Sequence, residues 1–457
     1  MKRLSNRLAE YAAALSFADL PPGVVHETKR RLMDSLACAL GAYNSPPARA
    51  AREIALEIKS TTGAAILGTA QKSSPDLSAF ANGILVRYLD YNDTYLSMEP
   101  AHPSDNIAPA LAVAEAAGAD GKGLIAAIAL GYEVQCRLCD AASLREKGWD
   151  HVAYVSISSA LLCSRLMGLG PEKSAHAVSL SITPGIPLRQ TRVGELSMWK
   201  GCAGAFAARG GVFAAILAGR GITGPSEVFE GERGFFNQVT GPFDLDMDAF
   251  GGRSGDFKME ETYLKYYPTE YHSQAGIEAS LELAKEVRVA EIEEVNIETY
   301  DACVDIIAGD RSKWEPRTRE TADHSLPYCV AVALMDGTVG LEQFSEKRIL
   351  DPKVRTLMDR IKVKRNPEYT SLYPEAFPCR VEIRTRGGGR FERTVSYPKG
   401  HPKNPLTDRE VEGKLEALSR GLVEGAALRE AIKRIWRLEE LRDISGLMGL
   451  FTVKGGF

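Results

Sequence analysis

Apolar residues recur at helical spacing through almost all of the first 250 positions, and this narrows the choice of fold more than any other feature of the chain. After Pro21-Pro22, the residues Val25, Leu32, Leu36 and Leu40 fall on one helical face, which Gly41 closes. Ser45-Pro46 and Ser74-Pro75-Asp76 each combine a capping residue with a first-turn proline. The second of them opens a broad stripe of Leu77, Phe80, Ala81, Ile84, Leu85, Tyr88 and Leu89. Further helical patterns cover about 105–118, 121–140, 152–168, 171–182 and 200–220. Ala64 to Leu67 reads as one isolated strand. No βαβ unit repeats here, so a doubly wound sheet is excluded for this half.

The texture changes near residue 260. Tyr271 to Val287 reads as one more helix, and another lies around 320–336. Val295 to Thr299, Ile361 to Lys364 and Arg380 to Arg386 alternate as half-buried strands do. The last of these runs into Gly387-Gly388-Gly389 and resumes at Phe391, Arg393, Val395 and Tyr397, the pattern of a hairpin. Thr407-Asp408-Arg409-Glu410 is a capping box, followed by Val411, Leu415, Leu418 and Leu422, then Leu428, Ile432 and Ile435. The expected architecture is mainly α. A large all-helical domain, 1–267, is completed by C-terminal helices in 399–457 that pack back on it, and 268–398 forms a smaller α+β domain.

Composition removes several functions. With 56 Lys+Arg against 60 Asp+Glu, the formal charge is −4, without the basic excess that draws a chain to nucleic acid or anionic lipid. The most apolar stretch, Gly201 to Gly219, is rich in Gly and Ala and broken by Arg209, so it reads as a closely packed helix and not a membrane span. The start, Met1 to Arg7, has no apolar core of a secretory signal. Eight cysteines are scattered without a disulfide framework and read as reduced thiols of a cytoplasmic protein.

Seven histidines can be weighed singly. His26 and His176 fall inside amphipathic helices, and His401 lies in a Pro/Lys-rich loop expected to be solvated. His102 stands apart. Asp90 follows directly on the stripe that ends at Leu89, at a helix C-terminus where a negative charge is unfavourable unless it fronts solvent or has a cationic partner. The loop after it carries Asp93, Thr94, Glu99 and His102 around Pro100 and Pro103, and Ser104 is expected to cap the next helix. Loops held between two firm helices are where catalytic groups tend to sit.

His151 lies in a turn before a helix. Arg189, Arg192 and Lys200 form a cationic stretch able to hold carboxylates, and Met198 and Trp199 beside Lys200 suggest partial burial. Lys265 begins Lys265-Tyr266-Tyr267-Pro268 at the expected domain boundary, and His324 and Tyr328 are four apart on one helical face. Metal motifs are thin. Cys136-Arg137-Leu138-Cys139 is a lone CxxC, and HExxH, Walker A and a GxGxxG after a strand are all missing from the sequence.

Together, Asp90-Tyr91-Asn92-Asp93-Thr94, His102-Pro103-Ser104-Asp105-Asn106, the segment Arg189 to Glu195, Met198-Trp199-Lys200-Gly201, Lys265-Tyr266-Tyr267-Pro268 and the segment Arg319 to Tyr328 resemble the signature of the MmgE/PrpD family. The resemblance runs in family order from about residue 5 to 445. It implies a large helical domain with a smaller α+β lid, a homodimer, and catalysis without a metal or organic cofactor. The family includes 2-methylcitrate dehydratase, an enzyme of propionate catabolism, and cis-aconitate decarboxylase. Its active-site positions fall here on Asp90, Thr94, His102, His151, Lys200, Lys265 and Tyr328. The Arg189/Arg192 stretch looks most like the dehydratase branch.

The residue types suit that chemistry. Dehydration of 2-methylcitrate to 2-methyl-cis-aconitate removes a proton next to a carboxylate and expels a hydroxyl, so it needs a base, an acid and cations for three carboxylates. The resemblance makes His102, oriented by Asp90, the first choice for base or acid. His151 and Tyr328 compete for the complementary role. Lys200 and Lys265, with Arg192 behind them, would hold the carboxylates together with Thr94, from separate segments expected to converge on one cleft. Decarboxylation of cis-aconitate, or isomerisation or epimerisation of a related acid, remains open on the same scaffold, as does a non-catalytic carboxylate-binding protein. The expected ligand is a small polycarboxylate.

Overall fold

A computed structural model describes residues 2–455; Met1, Gly456 and Phe457 lie outside the described residues. The fold is mainly α with a small mixed sheet. Among the described residues two compact units form: one from 2–191, Gly201–Thr262 and 407–455, the other from Arg192–Lys200 and Tyr263–Leu406. Arg192–Lys200 thus belongs to the second unit, although it lies within the stretch read as helical domain.

The first unit is built from α1 (Leu4–Ala14), α2 (Pro22–Gly41), α3 (Pro46–Leu56), α4 (Pro75–Arg87), α5 (Ile107–Ala117), α6 (Gly121–Ala141), α7 (Val152–Leu166), α8 (Pro171–Ile182) and α9 (Ala203–Gly219). Central α6 is buried all round: Leu124, Ile125, Ile128 and Leu130 on one turn after another have no exposure. A helix apolar on every side can only be a core helix in a chain of this kind. The Gly/Ala composition of α9 has a packing reason. A Cβ added at Gly211 would lie 2.7 Å from the Ser156 carbonyl of α7, so the absent side chain lets the two helices approach.

Local detail departs from expectation at several points. Ala64–Ala65 (β1) is not isolated; it pairs antiparallel with Lys72–Ser73 (β2). Proline does occupy the first turn of α3 and α4, but neither Ser45 nor Ser74 caps with its side chain. The Ser74 hydroxyl instead donates to Asp76 Oδ1 at 2.7 Å.

The tail begins with the expected capping box. Glu410 N–H donates to Thr407 Oγ1 at 3.2 Å, and Glu410 Oε2 accepts from Thr407 N–H at 2.6 Å. The helix Asp408–Leu418 lies along α2, with Leu418 Cδ2 only 3.1 Å from where a Gly41 Cβ would be. From α2, Lys29 donates to the Trp436 carbonyl at 2.9 Å and to Glu439 at 2.7 Å, fastening the end of the next helix, Gly425–Trp436.

In the second unit, α10 (Gln274–Leu283) is shorter than its periodicity suggests, because Tyr271–Ser273 form a separate turn before it. The sheet has the order β4-β3-β5-β6, from β3 (Ile292–Thr299), β4 (Ile361–Arg365), β5 (Cys379–Thr385) and β6 (Arg390–Val395). The pair β3/β4 is parallel, and β3/β5 and β5/β6 are antiparallel. Val295, Ile297, Val381 and Ile383 are fully buried, while Glu294, Glu298, Arg380 and Arg384 alternate with them and form ion pairs. The helix expected around 320–336 is split. A short turn, Arg319–Ala322, is followed by Leu326–Asp336, whose N-cap Ser325 accepts from Tyr328 N–H at 3.1 Å. Pro327 has no N–H to give to an earlier carbonyl, so the helix restarts there.

His401 is not solvated. Its ring stacks on Tyr263 at 5.1 Å and meets Phe377 edge-on at 5.7 Å. The loop folds on itself through Gly400 N–H to the Asn404 carbonyl, 2.9 Å, which carries the ring inward. Burial, helped by the Lys403 charge, holds the His401 pKa down at about 4.

Candidate active site

The His102 loop starts where α4 ends. Asp90 takes φ 51°, the only non-glycine residue with positive φ among the described residues. The turn brings the Asp90 carboxylate back over the helix end, where Arg87 Nη1 donates to it at 2.7 Å. Both are buried. Further on, Tyr95 and Ala101 exchange backbone hydrogen bonds of 2.9 Å each way, closing the loop into a small hairpin. The Thr94 hydroxyl, expected to meet substrate, donates to the Ala101 carbonyl at 3.1 Å. Asp93 pins the loop: Oδ1 accepts from Ser104 N–H at 3.0 Å and Oδ2 from the Tyr132 hydroxyl at 2.6 Å. Ser104 does not cap α5. Its Oγ accepts from Asn92 Nδ2 at 2.8 Å, and the residue before α5 is Asn106.

His102 is held from both sides. Nδ1 lies 2.7 Å from the Asp93 carbonyl and Nε2 lies 2.8 Å from Arg87 Nη2. A carbonyl only accepts and a guanidinium only donates, so these partners assign the proton to Nδ1 and leave a lone pair at Nε2. The neutral ring with a basic Nε2 is the form a general base requires. Arg87 links Asp90 to His102, so Asp90 orients the ring through Arg87.

His151 immediately precedes α7 and is buried. Its ring lies 5.6 Å from that of His102, edge-on at 62°. Its Nδ1 is 3.0 Å from Asp150 Oδ1, and Asp150 N–H donates to the Pro187 carbonyl at 2.8 Å. Two imidazoles, each associated with a carboxylate group, directly or through Arg87, therefore stand side by side in the first unit. Glu99 supports the far end of the loop. Its Oε2 accepts from Leu144 N–H at 2.7 Å and Arg145 N–H at 2.9 Å, while burial raises its pKa despite those bonds. From the tail, Lys414 Nζ donates to Asp34 Oδ1 and to the Tyr91 carbonyl, both at 2.7 Å.

The second unit holds Arg192, Lys200 and Lys265. Lys200 is buried at 2% exposure, and its Nζ lies 3.2 Å from Asp323 Oδ1 and 3.1 Å from His324 Nδ1. His324 Nδ1 is 2.6 Å from that same oxygen, so it carries the hydrogen and donates to it. Arg192 Nη1 donates to the Lys200 carbonyl at 2.9 Å. The side chains of Met198 and Trp199 are half exposed, in line with the partial burial expected of this stretch, and Lys200 itself is buried. Lys265 is buried at 1% exposure. Its segment is fixed by Leu264 N–H to the Gly400 carbonyl, 3.1 Å. Gly400 has φ 94°, and a Cβ there would lie 1.7 Å from the Leu264 carbonyl oxygen, so only glycine fits.

Tyr328 does not join this group. Its hydroxyl donates to the Gln343 carbonyl, its ring packs against Phe344, and burial raises its pKa. His324 lies in the turn before the helix that carries Tyr328, so the two do not share a helical face. Arg87, Asp150 and Asp323 were not singled out in the sequence. Each sits next to, or one turn from, a residue that was, and that proximity is the only local signal they carry. His26 and His176 make structural contacts. His26 stacks on Trp436 and pairs with Asp408, and His176 accepts from Gly224 N–H. Cys136 and Cys139 are free and buried, with their thiol pKa values pushed up by burial.

A pair of carboxylate-associated histidines in a helical unit, in a chain whose α+β unit carries buried lysines, is the equipment of an acid–base enzyme. The N-terminal domain model of the MmgE/PrpD family matches residues 6–248 and its C-terminal domain model matches 267–438, so the chain belongs to that family. It is 31% identical to a 2-methylcitrate dehydratase of Escherichia coli over 402 residues, 81% of each chain. It is 30% identical to a 2-methylcitrate dehydratase of Cupriavidus necator over 84% of each. It is 26% identical to the cis-aconitate decarboxylase-like protein oryM of Aspergillus oryzae over 97% of this chain and 96% of that one. This chain is an enzyme similar to the 2-methylcitrate dehydratases, which are hydro-lyases.

Proposed function

We propose that the chain dehydrates 2-methylcitrate, or a close tricarboxylate, to 2-methyl-cis-aconitate by acid–base elimination without a metal or organic cofactor. The observation that carries this reading is the His102–His151 pair, with the His102 proton fixed on Nδ1 by the Asp93 carbonyl. His102 Nε2 removes the proton next to a substrate carboxylate, parting from Arg87 as it does so. Arg87 keeps its second bond, to Asp90. His151 donates a proton to the departing hydroxyl, which leaves as water. The Tyr328 hydroxyl donates to the Gln343 carbonyl, which supports His151 over Tyr328 for the complementary role, here the acid. Lys200, Lys265 and Arg192 neutralise the carboxylates and the negative charge that builds on them, while Thr94 and Asp90 set the loop. Each proton-transfer group contributes roughly 10²–10⁴-fold, and preorganised charge supplies the rest.

A second reading, decarboxylation of cis-aconitate, is favoured by the near full-length match to the oryM protein. Parallel assays decide between them. Supply 2-methylcitrate, citrate and cis-aconitate in turn, with and without EDTA, and follow the absorbance of the unsaturated product. The proposal expects EDTA-insensitive formation of 2-methyl-cis-aconitate. Loss of cis-aconitate absorbance with release of carbon dioxide, and no action on 2-methylcitrate, would replace it by the second reading.

Two further proposals concern setting. The family implies a homodimer, and α9 presents Phe206 and Phe213, two turns apart and each about half exposed, as an apolar face. Sedimentation at the mass of a single chain would contradict it. A cytoplasmic setting is supported by eight free cysteines. Among the described residues, no helix is long and apolar enough to cross a membrane.

A further inference from the structure

Glu99 is fully buried and stands three residues before His102, inside the hairpin that Tyr95 and Ala101 close. Its N–H donates to the Cys139 carbonyl at 3.0 Å, near the end of α6. Its carboxylate reaches the segment that follows that helix. Oε2 accepts from Ser143 Oγ at 3.1 Å, Leu144 N–H at 2.7 Å and Arg145 N–H at 2.9 Å. Oε1, also buried, has no hydrogen-bond partner among the described residues. The side chain therefore directs all of its bonding at three consecutive residues.

Those residues open the turn Arg145–Lys147, which leads to His151. The Leu144 carbonyl accepts from Lys147 N–H at 3.0 Å and from Trp149 N–H at 3.1 Å, and Gly148 N–H donates to the Arg145 carbonyl at 3.1 Å. Asp150 follows Trp149 and lies against His151, whose carbonyl accepts from Tyr154 N–H at 3.1 Å as α7 begins. Main-chain hydrogen bonds thus run from Leu144 to the start of α7. One carboxylate oxygen fixes the beginning of that path, and the backbone of the same residue leads to His102.

The hairpin has other supports. Tyr95 Oη and Ser97 Oγ both donate to Asp140 Oδ1, at 2.7 and 2.6 Å, and Asp93 holds Ser104 and Tyr132. What the Glu99 carboxylate adds is the link between the hairpin and the turn before His151. Elimination needs base and acid at one substrate together, and a misplacement of about 1 Å can cost about a hundredfold in rate. We propose that Glu99 is a positioning residue that sets the spacing of His102 and His151 by tying the His102 hairpin to the turn that leads to His151. The proposal rests on the reading of those two histidines as base and acid.

The test measures steady-state dehydration of 2-methylcitrate by the full-length wild type, Glu99→Gln, Glu99→Ala and Glu99→Asp, each also combined with His151→Ala, with unfolding curves for all. Glutamine offers an oxygen to the same three donors, so Glu99→Gln keeps kcat within about threefold of wild type, although its amide, buried where Oε1 lies, lowers the melting temperature. Glu99→Ala lowers kcat at least about tenfold and moves KM by less than about threefold, because the groups assigned to the substrate carboxylates lie elsewhere. Beside His151→Ala, the same change costs less than about threefold, since there is no longer a spacing to keep. Glu99→Asp, one methylene shorter, carries the Ala expectation if the Ala variant does not fold. An equal loss in both backgrounds would make Glu99 a support of the loop alone and overturn the proposal. Wild-type kcat in Glu99→Ala, or a Gln variant as slow as the Ala one, overturns it too and leaves the dehydratase reading intact. Failure of the wild type to turn over any tricarboxylate overturns both.

Discussion

At the residue scale, Arg87 carries more of the account than any side chain singled out in the sequence. It donates one nitrogen to Asp90 and another to His102 Nε2, joining an acid and a base. Asp90, set at a helix C-terminus, was expected to front solvent or to have a cationic partner, and Arg87 meets the second condition. Arg87 itself was not legible, because a basic residue in the last turn of α4 needs no explanation beyond the helix dipole. A lysine has one charged nitrogen and cannot bridge two acceptors with a planar fork. Arg87→Lys should therefore lower kcat at least tenfold while shifting the melting temperature by only a few degrees, measured by steady-state kinetics and thermal unfolding. His401 gives a stability prediction with a definite sign. Its folded pKa of about 4 lies below the unfolded value, so the neutral ring stabilises the fold fully above about pH 6.5. That contribution is lost as pH falls from about 6.5 toward 4. Unfolding curves across this range should show a decline that Phe at position 401 makes shallower.

At the element scale, the helices were legible because their periodicity, prolines and capping box are local signals. Thr407 and Glu410 exchange the two bonds their spacing predicts. Less legible were features set by distant parts of the chain. The split at Asp323–Ser325 interrupts the single helix expected around 320–336, and the 64–67 run finds its partner in Lys72–Ser73. Lys414 is the clearest case. In sequence it is a charged residue on a tail helix, yet it reaches Asp34 and the Tyr91 carbonyl, more than 300 positions away, and is buried. Nothing local could assign those partners. Removing one member of a buried ion pair leaves the other uncompensated, at a cost of about 3–5 kcal/mol. Lys414→Met should lower stability on that scale and also reduce activity, since Tyr91 lies within the His102 loop. Adding Asp34→Asn should recover part of the stability, read by denaturant titration, but not the activity.

At the scale of the whole molecule, a formal charge of −4 says little about the ligand. Lys200, Lys265 and Lys313 are all buried in the second unit, while His102 and His151 lie in the first. The sequence resemblance named most of these positions because the motifs are contiguous, but it could not show which of them are engaged by other residues. Tyr328 is spent on Gln343 and Thr94 on Ala101, distinctions that depend on where a hydroxyl points. The central claim is that His102, neutral and with its proton on Nδ1, is the base of an elimination from a tricarboxylate. The direct test is the rate at which purified His102→Ala forms 2-methyl-cis-aconitate, beside wild type, with unfolding curves to establish that the variant is folded. The account predicts a folded variant with turnover reduced by at least a hundredfold, the low end of a lost general base. A folded variant that keeps more than a tenth of the wild-type rate would contradict it.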